Sequence, residues 1–357
     1  MEIKEITTYE SFLQLHADWN RLLENAGTNN VFMTFEWQKS WWECFGKDKR
    51  LRILILKETD GITAIAPLCH SANKLFNRII LIGGHRADYN DFIIRKDNKC
   101  NYNILLNYIH GMTNDWDEIL LENIPENSDL FDIIKDERKR FFFKIEKIDT
   151  CPYISIGNEQ SHILKQLAKK DSVRRKIKQL RKAGNLKFRH LSDKKEAEES
   201  LGSLIRGYSK RYHPRSGGEK LQLELLFHKK LLQNMDSING VKFSTLDLNG
   251  ERIAQHFGFS YNNVYYWVRP SFNEDYSRYS PGLVILNFMI EYAVNEGFQE
   301  FDFLRGSEAF KLRFANKERV VMTVRLYKNY KKYLYISSLI KLKQLFDSLR
   351  HYRLKQT

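Results

Sequence analysis

Two short stretches in the C-terminal half of the sequence carry residues that could do chemistry. The first is the run from Asp302 to Glu308, Asp302-Phe303-Leu304-Arg305-Gly306-Ser307-Glu308, which Lys311 follows three residues later. It comes directly after a predicted strand, and charged groups there are costly unless they pair with each other or face a ligand. A carboxylate in such a place can take a proton from an attacking amine or hydroxyl, so Asp302 and Glu308 are the candidate general bases. Arg305 and Lys311 are expected to hold an anionic group or to orient the carboxylates.

The same charges also have a purely structural interpretation. Asp302 with Arg305, or Glu308 with Lys311, could form an ion pair, and the second would be an i, i+3 pair on a surface. His256, on a strand predicted over residues 253–259, is a third candidate base. A lone histidine in a strand is more often structural than catalytic.

The second stretch is Arg278-Tyr279-Ser280-Pro281-Gly282, which precedes an apolar helix predicted to run to residue 295. A helix start presents free N–H groups and a partial positive charge, as a pyrophosphate requires. Ser280 is a favourable N-cap, Pro281 suits the first turn, and Gly282 lets a ligand approach the backbone. These five residues are the predicted cofactor site, although the same residues cap many helices that bind nothing.

Other residues are candidates for contact with a substrate. Tyr266 and Trp267 lie on an aromatic strand, and Arg174 and Arg175 lie on a basic amphipathic helix predicted over residues 162–184. That helix is either a solvated charged face or a cationic wall for an anionic ligand. In the first half of the chain, Trp37, Asp88 and Asp91 are expected to face the acceptor, or only to pack and cap.

The elements that would position these residues occur twice along the chain. Asp60-Gly61 and Asn249-Gly250 each separate two β-rich runs, as in a hairpin with a type I′ turn. Further along each half, a predicted helix (102–112, then 282–295) leads to a strand (118–124, then 300–304). A weak internal duplication is the simplest explanation, and chance recurrence of common βα units is its rival.

Composition limits the class of protein. A chain of 357 residues with 42% hydrophobic residues is expected to form two globular domains. The net charge of +14 favours an anionic partner: a nucleotide-bearing cofactor, a nucleic acid or an acidic membrane surface. The four cysteines are far apart, which predicts neither a metal site nor a disulfide framework, and no signal or membrane-spanning segment is evident. We therefore expect a cytoplasmic protein, with contact at the inner face of the membrane through a basic tail, 334–357, as an alternative.

Several of these features together resemble a known family, the GNAT-type acetyltransferases of the cellulose-biosynthesis (CelD/BcsL-type) group, which are related to the FemABX aminoacyltransferases. The resemblance spans nearly the whole chain and rests on Phe32-Met33-Thr34-Phe35-Glu36-Trp37 with Trp41-Trp42, Ala66-Pro67-Leu68, Asp88-Tyr89-Asn90-Asp91, Arg174-Arg175, Tyr279-Ser280-Pro281-Gly282, and Asp302-Phe303-Leu304-Arg305-Gly306 with Glu308 and Lys311.

The resemblance implies a fold and an activity. The fold would be mixed α+β, with tandem GNAT-like domains at 1–155 and 156–357, each a mostly antiparallel mixed sheet flanked by helices, and only the second holding a cofactor. The activity would be transfer of an acetyl or other acyl group from acyl-CoA to an amine or hydroxyl of a sugar or a bacterial surface-polysaccharide precursor, without a metal and in contact with a membrane-bound synthesis complex. The phosphate loop departs from the usual GNAT form by its proline, and Phe310 stands where the family often has tyrosine, which leaves Tyr266, Tyr276 and Tyr279 as phenolic acids.

Two alternatives remain open at this point. A FemABX-like transferase would take its aminoacyl group from charged tRNA, with the basic helix as the nucleic-acid contact. A non-catalytic GNAT-like scaffold in polysaccharide assembly would explain the imperfect phosphate loop.

Overall fold

The chain passes back and forth between two compact units. A computed structural model describes residues 1–71, 75–112, 115–136, 141–212 and 218–353. Unit 1 consists of Met1–Asn29, Phe45–Ile148 and Val321–Thr357, and unit 2 of Asn30–Cys44 and Asp149–Val320. The division therefore differs from a linear boundary at 155/156, because residues 30–44 belong to the second unit and the C-terminal segment to the first.

Twelve α-helices lie in the described part of the chain. They are α1 (Tyr9–Leu13), α2 (His16–Glu24), α3 (Phe35–Phe45), α4 (Asn101–Gly111), α5 (Leu130–Asp136), α6 (Gln160–Ala168), α7 (Asp171–Ala183), α8 (Lys194–Tyr212), α9 (Gly218–Asn234), α10 (Pro281–Asn295), α11 (Ala309–Leu312) and α12 (Tyr330–Arg353).

Fifteen strands are formed by the same described residues. They are β1 (Glu2–Ile6), β2 (Lys49–Leu51), β3 (Ile53–Glu58), β4 (Gly61–Ala66), β5 (Leu68–Ser71), β6 (Arg78–Leu81), β7 (Ile93–Ile94), β8 (Glu118–Pro125), β9 (Phe142–Ser155), β10 (Leu186–His190), β11 (Val241–Leu248), β12 (Glu251–Tyr261), β13 (Val264–Phe272), β14 (Glu300–Asp302) and β15 (Lys317–Tyr327).

Unit 1 contains two groups of strands. One has the order β1-β3-β4-β7, and the other the order β15-β8-β6-β5-β2. The β6–β8 pair is parallel, whereas β15 runs antiparallel to β8. Apolar residues of α4 and α5 pack with those of β3, β4 and β8 in one hydrophobic core.

Unit 2 is built on the strand order β10-β11-β12-β13-β14, beside which lies the end of β9. The β13–β14 pair is parallel, and residues 153–155 of β9 run antiparallel to β14. Helix α10 is apolar on nearly every side, and its side chains form the centre of a core shared with α6, α7 and the strands. This core holds the start of α10 against the sheet.

Both units contain the duplicated elements predicted from the sequence. Each has a hairpin (β3–β4, β11–β12) and a helix leading to a strand that has one parallel and one antiparallel neighbour. The antiparallel neighbours are exchanged, because β15 follows the unit 2 sequence yet pairs in unit 1, and this exchange accounts for the return of the C-terminal segment to unit 1. The turns differ: Asn249 and Gly250 both have positive φ, as a type I′ turn requires, whereas at 60–61 only Gly61 does.

Three sequence predictions need correction. The basic helix expected over 162–184 is two helices, α6 and α7, which are interrupted at Lys169 and Lys170. The strand expected to reach residue 304 ends at Asp302, because Leu304 has a left-handed φ of 61°. The segment expected as a basic tail, 334–357, belongs to a helix that begins at Tyr330, and its residues 354–357 lie outside the described residues. Among the described helices, none combines the length and apolar character needed to cross a membrane.

Candidate functional site

The parallel strands β13 and β14 separate after three residue pairs. Their register ends at Tyr266 opposite Asp302, and β13 continues alone on this side to Phe272. An opening between two such strands is where α/β proteins commonly bind ligands. Here the opening lies beside the N-terminus of α10, which follows β13 in the chain.

A pocket of about 370 Å³ occupies this place in unit 2. Its walls are mostly apolar side chains from β13, α10 and α11, together with one arginine and two serines. The lining residues are Arg211, Trp267, Pro270, Phe272, Ser277, Ser280, Gly282, Leu283 and Phe310. Such a mixture suits an extended organic ligand with an anionic end.

The start of α10 offers fewer donors than the sequence suggested. Ser280 has a left-handed φ of 50° and its side chain makes no cap hydrogen bond, which corrects the prediction that its hydroxyl caps the helix. Its carbonyl instead accepts the N–H groups of Leu283 (2.9 Å) and Val284 (3.2 Å). Since Pro281 has no N–H, the Gly282 N–H is the first-turn donor left for a ligand. An anion there must also rely on side chains.

Gly282 is needed for space as well as for its N–H. A Cβ at this position would lie 3.1 Å from the Phe272 ring, which is itself part of the pocket wall. The Arg211 guanidinium lies over the same Phe272 ring, 3.8 Å from its centroid. The arginine is exposed and lines the pocket, so an anion there can reach its charge.

The predicted cofactor residues divide into two groups. Ser280 and Gly282 line the pocket. Arg278, Tyr279 and Pro281 adjoin it without lining it: the Arg278 guanidinium lies 4.7 Å from the Tyr279 ring centroid, and its carbonyl accepts a hydrogen bond from Lys176 of α7. This hydrogen bond from Lys176 connects α7 to the segment that precedes α10.

Asp302 lies where the two strands part and is fully buried. Its Oδ1 accepts the Leu304 N–H at 2.7 Å, and Arg319 Nη1 lies 3.8 Å from its Oδ2. The first bond holds Leu304 in its left-handed conformation, which costs a branched residue about 1 kcal/mol or more. The carboxylate therefore has a structural task in addition to any chemical one.

Glu308 and Lys311 form the i, i+3 pair that the sequence allowed. Glu308 Oε2 lies 2.9 Å from Lys311 Nζ, and the same ammonium donates to the Arg305 carbonyl at 2.6 Å. The lysine side chain is 6% exposed and the glutamate side chain 49% exposed. Gly306, with a φ of 105°, completes this closed loop, because a Cβ there would meet Glu308 Oε2 at 2.5 Å. Glu308 is thus the carboxylate of the cluster that an acceptor can reach.

His256 is buried and stacked on Trp267, with the ring centroids 4.3 Å apart. Its Nε2 accepts the Val268 N–H at 3.0 Å. Burial, with a smaller contribution from His190, holds the pKa of His256 well below its usual value. The ring is therefore neutral, and the lone pair of Nε2 is occupied by the Val268 N–H. This arrangement supports the strand and is poorly suited to proton transfer.

The remaining candidates of unit 2 have varied surroundings. Trp37 is buried between the rings of Phe32 and Phe227, at 5.5 and 5.7 Å, so it packs and does not face a ligand. Tyr266 is also buried; burial first, and then Asp302, raises its pKa well above the usual value. Arg174 and Arg175 are exposed on α7.

Two other tyrosines were candidate acids. The Tyr276 hydroxyl donates to Glu251 at 2.6 Å, and the Tyr279 ring lies beneath Arg278. Neither residue lines the pocket, whereas Phe310, the residue in place of the family tyrosine, does.

Of the two candidates in unit 1, Asp91 lines a separate pocket of about 260 Å³. Asp91 lies at its floor, where its Oδ1 accepts hydrogen bonds from the Phe92 N–H (2.7 Å) and the Tyr102 hydroxyl (3.1 Å). Burial raises the pKa of Asp91 to about 7, against the opposing effect of hydrogen bonds from Ser128, Phe92 and Tyr102. Asp88 is half-buried and lies outside this lining.

Sequence reasoning missed five of the pocket residues: Arg211, Pro270, Phe272, Ser277 and Leu283. Arg211 is at the end of α8, about sixty residues before the end of β13, where Phe272 lies. No local sequence pattern indicates a contact between residues so far apart. The described residues contain no group of three or more histidine, cysteine, aspartate or glutamate side chains placed to hold a metal ion.

Comparison with known proteins identifies the fold of this site. Residues 168–312, which run from the end of α6 to α11, match the family model described as an acetyltransferase (GNAT) domain. No curated protein sequence matches the chain. The pocket at the start of α10 thus lies inside the matched segment.

Solved structures extend the similarity to both units. FemX has a TM-score of 0.63 at 11% identity, covering 90% of this chain and 97% of FemX. The C-terminal domain of a putative lysylphosphatidylglycerol synthetase from Agrobacterium fabrum has a TM-score of 0.56 at 10% identity, covering 93% of this chain and 97% of that one. A tandem GNAT protein from the clavulanic acid biosynthesis pathway has a TM-score of 0.53 at 7% identity, covering 90% and 98%. At these identities the likeness shows the fold alone, and it confirms the predicted mixed α+β tandem GNAT-like class.

Proposed function

We propose that this chain is an acyltransferase whose donor, an acyl-CoA thioester, binds in the unit 2 pocket at the start of α10. The observation that carries the proposal is the coincidence of three features in one place: the separation of β13 from β14, a helix start with the Gly282 N–H left for a ligand, and an exposed arginine in the pocket lining. The match of residues 168–312 to a GNAT domain supports the same class of reaction.

The donor would be held at two ends. Its pyrophosphate would take the Gly282 N–H, the positive end of the α10 dipole and the Arg211 guanidinium. Its apolar arm would run along Trp267, Pro270 and Phe310 toward the end of β14. This places the thioester near the run that begins at Asp302.

The transfer requires one proton acceptor and correct placement of two reactants. In the proposal, Glu308 takes the proton from the amine or hydroxyl as it attacks the thioester carbonyl, the C–S bond breaks and CoA leaves as the thiolate, which then takes up the proton held by Glu308 and becomes the thiol. The buried Lys311 holds this carboxylate in place, and Asp302 supports the turn that carries it. The resemblance to the cellulose-biosynthesis group suggests a sugar or surface-polysaccharide precursor as the acceptor.

Calorimetric titration with CoA and acetyl-CoA tests the donor site. We expect binding to the wild-type protein and a roughly tenfold weaker affinity for Arg211→Gln, because one charge-assisted hydrogen bond is lost. Arg206→Gln removes the same charge from the same helix but not from the pocket, and should bind as the wild type does. No binding of either thiol or thioester to the wild type would refute the donor assignment and favour the scaffold alternative.

One observation favours a second donor. Lys178, Arg181 and Lys182 are exposed on α7 and form a basic surface long enough to contact nucleic acid. A FemABX-like transferase would use it for tRNA, and substituting all three by glutamine would then flatten the salt dependence of tRNA binding. Wild-type affinity for tRNA that does not change with salt would exclude this alternative.

A further inference from the structure

The strand β13 contains one more residue than its partner β12 needs. The register pairs on either side of the irregularity are Phe259↔Tyr266 and Phe257↔Arg269. Two residues of β13, Trp267 and Val268, therefore stand opposite the single residue Gly258. This is a β-bulge, which locally inverts the alternation of side chains along a strand.

The bulge determines which side chains of β13 point toward the pocket. In a regular strand, residues three apart point to opposite faces of the sheet. Trp267 and Pro270 are three apart, yet both line the pocket, together with Phe272. Without the extra residue, Pro270 and Phe272 would point to the other face, and the apolar wall would lose two of its members.

A bulge leaves one N–H without a partner in the ladder, and here His256 supplies the acceptor. Its Nε2 lies 3.0 Å from the Val268 nitrogen, within the bulge itself. The same ring stacks on Trp267 at an interplanar angle of 15°, so it contacts both bulge residues. A buried N–H without an acceptor would be costly, which makes the histidine necessary to this geometry.

Gly258 leaves the room that this arrangement needs. A Cβ there would lie 2.4 Å from the Tyr266 carbonyl oxygen and 2.3 Å from the His256 ring. No side chain larger than hydrogen fits opposite the bulge without displacing the backbone. The glycine and the histidine, two residues apart on β12, thus shape the neighbouring strand together.

We propose that His256 is a positioning residue, which holds the Trp267–Val268 bulge through the Val268 N–H and so fixes the apolar wall of the pocket. The identity of the pocket's ligand rests on the proposed function, whereas the bulge and its support do not. The histidine acts through the strand and takes no part in proton transfer.

Two variants separate the hydrogen bond from the ring. His256→Phe keeps an aromatic ring against Trp267 but removes the acceptor, and His256→Gln keeps an acceptor at nearly the same distance but removes the ring. We expect His256→Phe to speed hydrogen exchange of the Val268 amide by about 10- to 100-fold and to raise the KM for acetyl-CoA more than it lowers kcat. His256→Gln should stay near the wild type in both.

Hydrogen exchange of the Val268 amide can be measured whether or not the protein is active in the enzyme assay. Unchanged Val268 protection in His256→Phe would overturn the inference, and so would equal loss of protection in both variants, since the ring and not the acceptor would then matter. If the wild type bound no CoA, the proposed function would fail while the exchange of Val268 still tested the role of His256. Thermal unfolding of each variant shows whether a change is local to β13 or general.

Discussion

The buried carboxyl of Asp91 should make the stability of unit 1 depend on pH in a specific direction. Burial raises its pKa in the folded protein to about 7, from 3.8 for the unfolded chain. Between these values the folded state holds a proton that the unfolded state has lost, so stability falls as pH rises through this window. From about pH 5 to about pH 8 the loss from this one group is roughly 3 kcal/mol, two pKa units at about 1.4 kcal/mol each.

Asp91→Asn removes the titration while keeping an oxygen that can accept the Phe92 and Tyr102 hydrogen bonds. We therefore expect the variant to gain stability relative to the wild type as pH rises, by about 3 kcal/mol over the same interval. The assay is urea unfolding of both proteins at several pH values, followed by hydrogen exchange of the amides of α4, which packs in the unit 1 core.

A second variant checks the cause of the effect. Tyr102→Phe removes a hydrogen bond that lowers the pKa of Asp91, so the window of falling stability should move to higher pH. A difference between Asp91→Asn and the wild type that stays constant from about pH 5 to about pH 8 would refute the reasoning, because it would mean that the carboxyl titrates alike in both states.

The remaining predictions concern the charged loop, a turn and the carboxylate proposed as the base. Lys311→Met should lower the free energy of unfolding by about 2 kcal/mol, because the buried ammonium bonds both Glu308 and the Arg305 carbonyl, and urea unfolding that matches the wild type would contradict it. Gly250→Ala should cost about 1 kcal/mol through strain at a φ of 86°, since nothing lies within 4 Å of the added Cβ; an unchanged melting temperature would disprove this. Glu308→Gln should reduce kcat at least 100-fold in a thiol-release assay with acetyl-CoA binding unchanged, and full activity would remove Glu308 from the proposed mechanism.

The sequence predicted the local elements of this fold well and their assembly less well. The helix over 282–295 and the Asn249-Gly250 hairpin agree with the structure, because apolar periodicity and turn chemistry are local properties. The exchange of β9 and β15 depends on pairing between segments that are far apart, about which periodicity carries no information.

The candidate site was predicted only in part, because local sequence signatures indicate some of its residues and long-range contacts bring in the others. Ser280 and Gly282 were found because a helix start has a sequence signature, although the left-handed Ser280 was not. Arg211 was missed because its relation to Phe272 exists only in the folded chain. The bulge at Trp267–Val268 was invisible because it depends on the residues of β12 that lie opposite.

The contacts of the run from Asp302 to Glu308 change how its charges are understood. Glu308 and Lys311 satisfy each other in the loop that Gly306 closes, so part of this charge is structural. The loop also holds the half-exposed Glu308 carboxylate in a fixed position. In the proposed function this carboxylate is the base, since acyl transfer requires a proton acceptor held in position beside the reactants.

A crystal structure of the full chain grown with CoA tests the central claim most directly. We expect the pyrophosphate within hydrogen-bond distance of the Gly282 N–H and the Arg211 guanidinium, and the pantetheine arm beside Trp267, Pro270 and Phe310. CoA bound elsewhere, or a pocket at the start of α10 that stays empty at saturating CoA, would contradict the account.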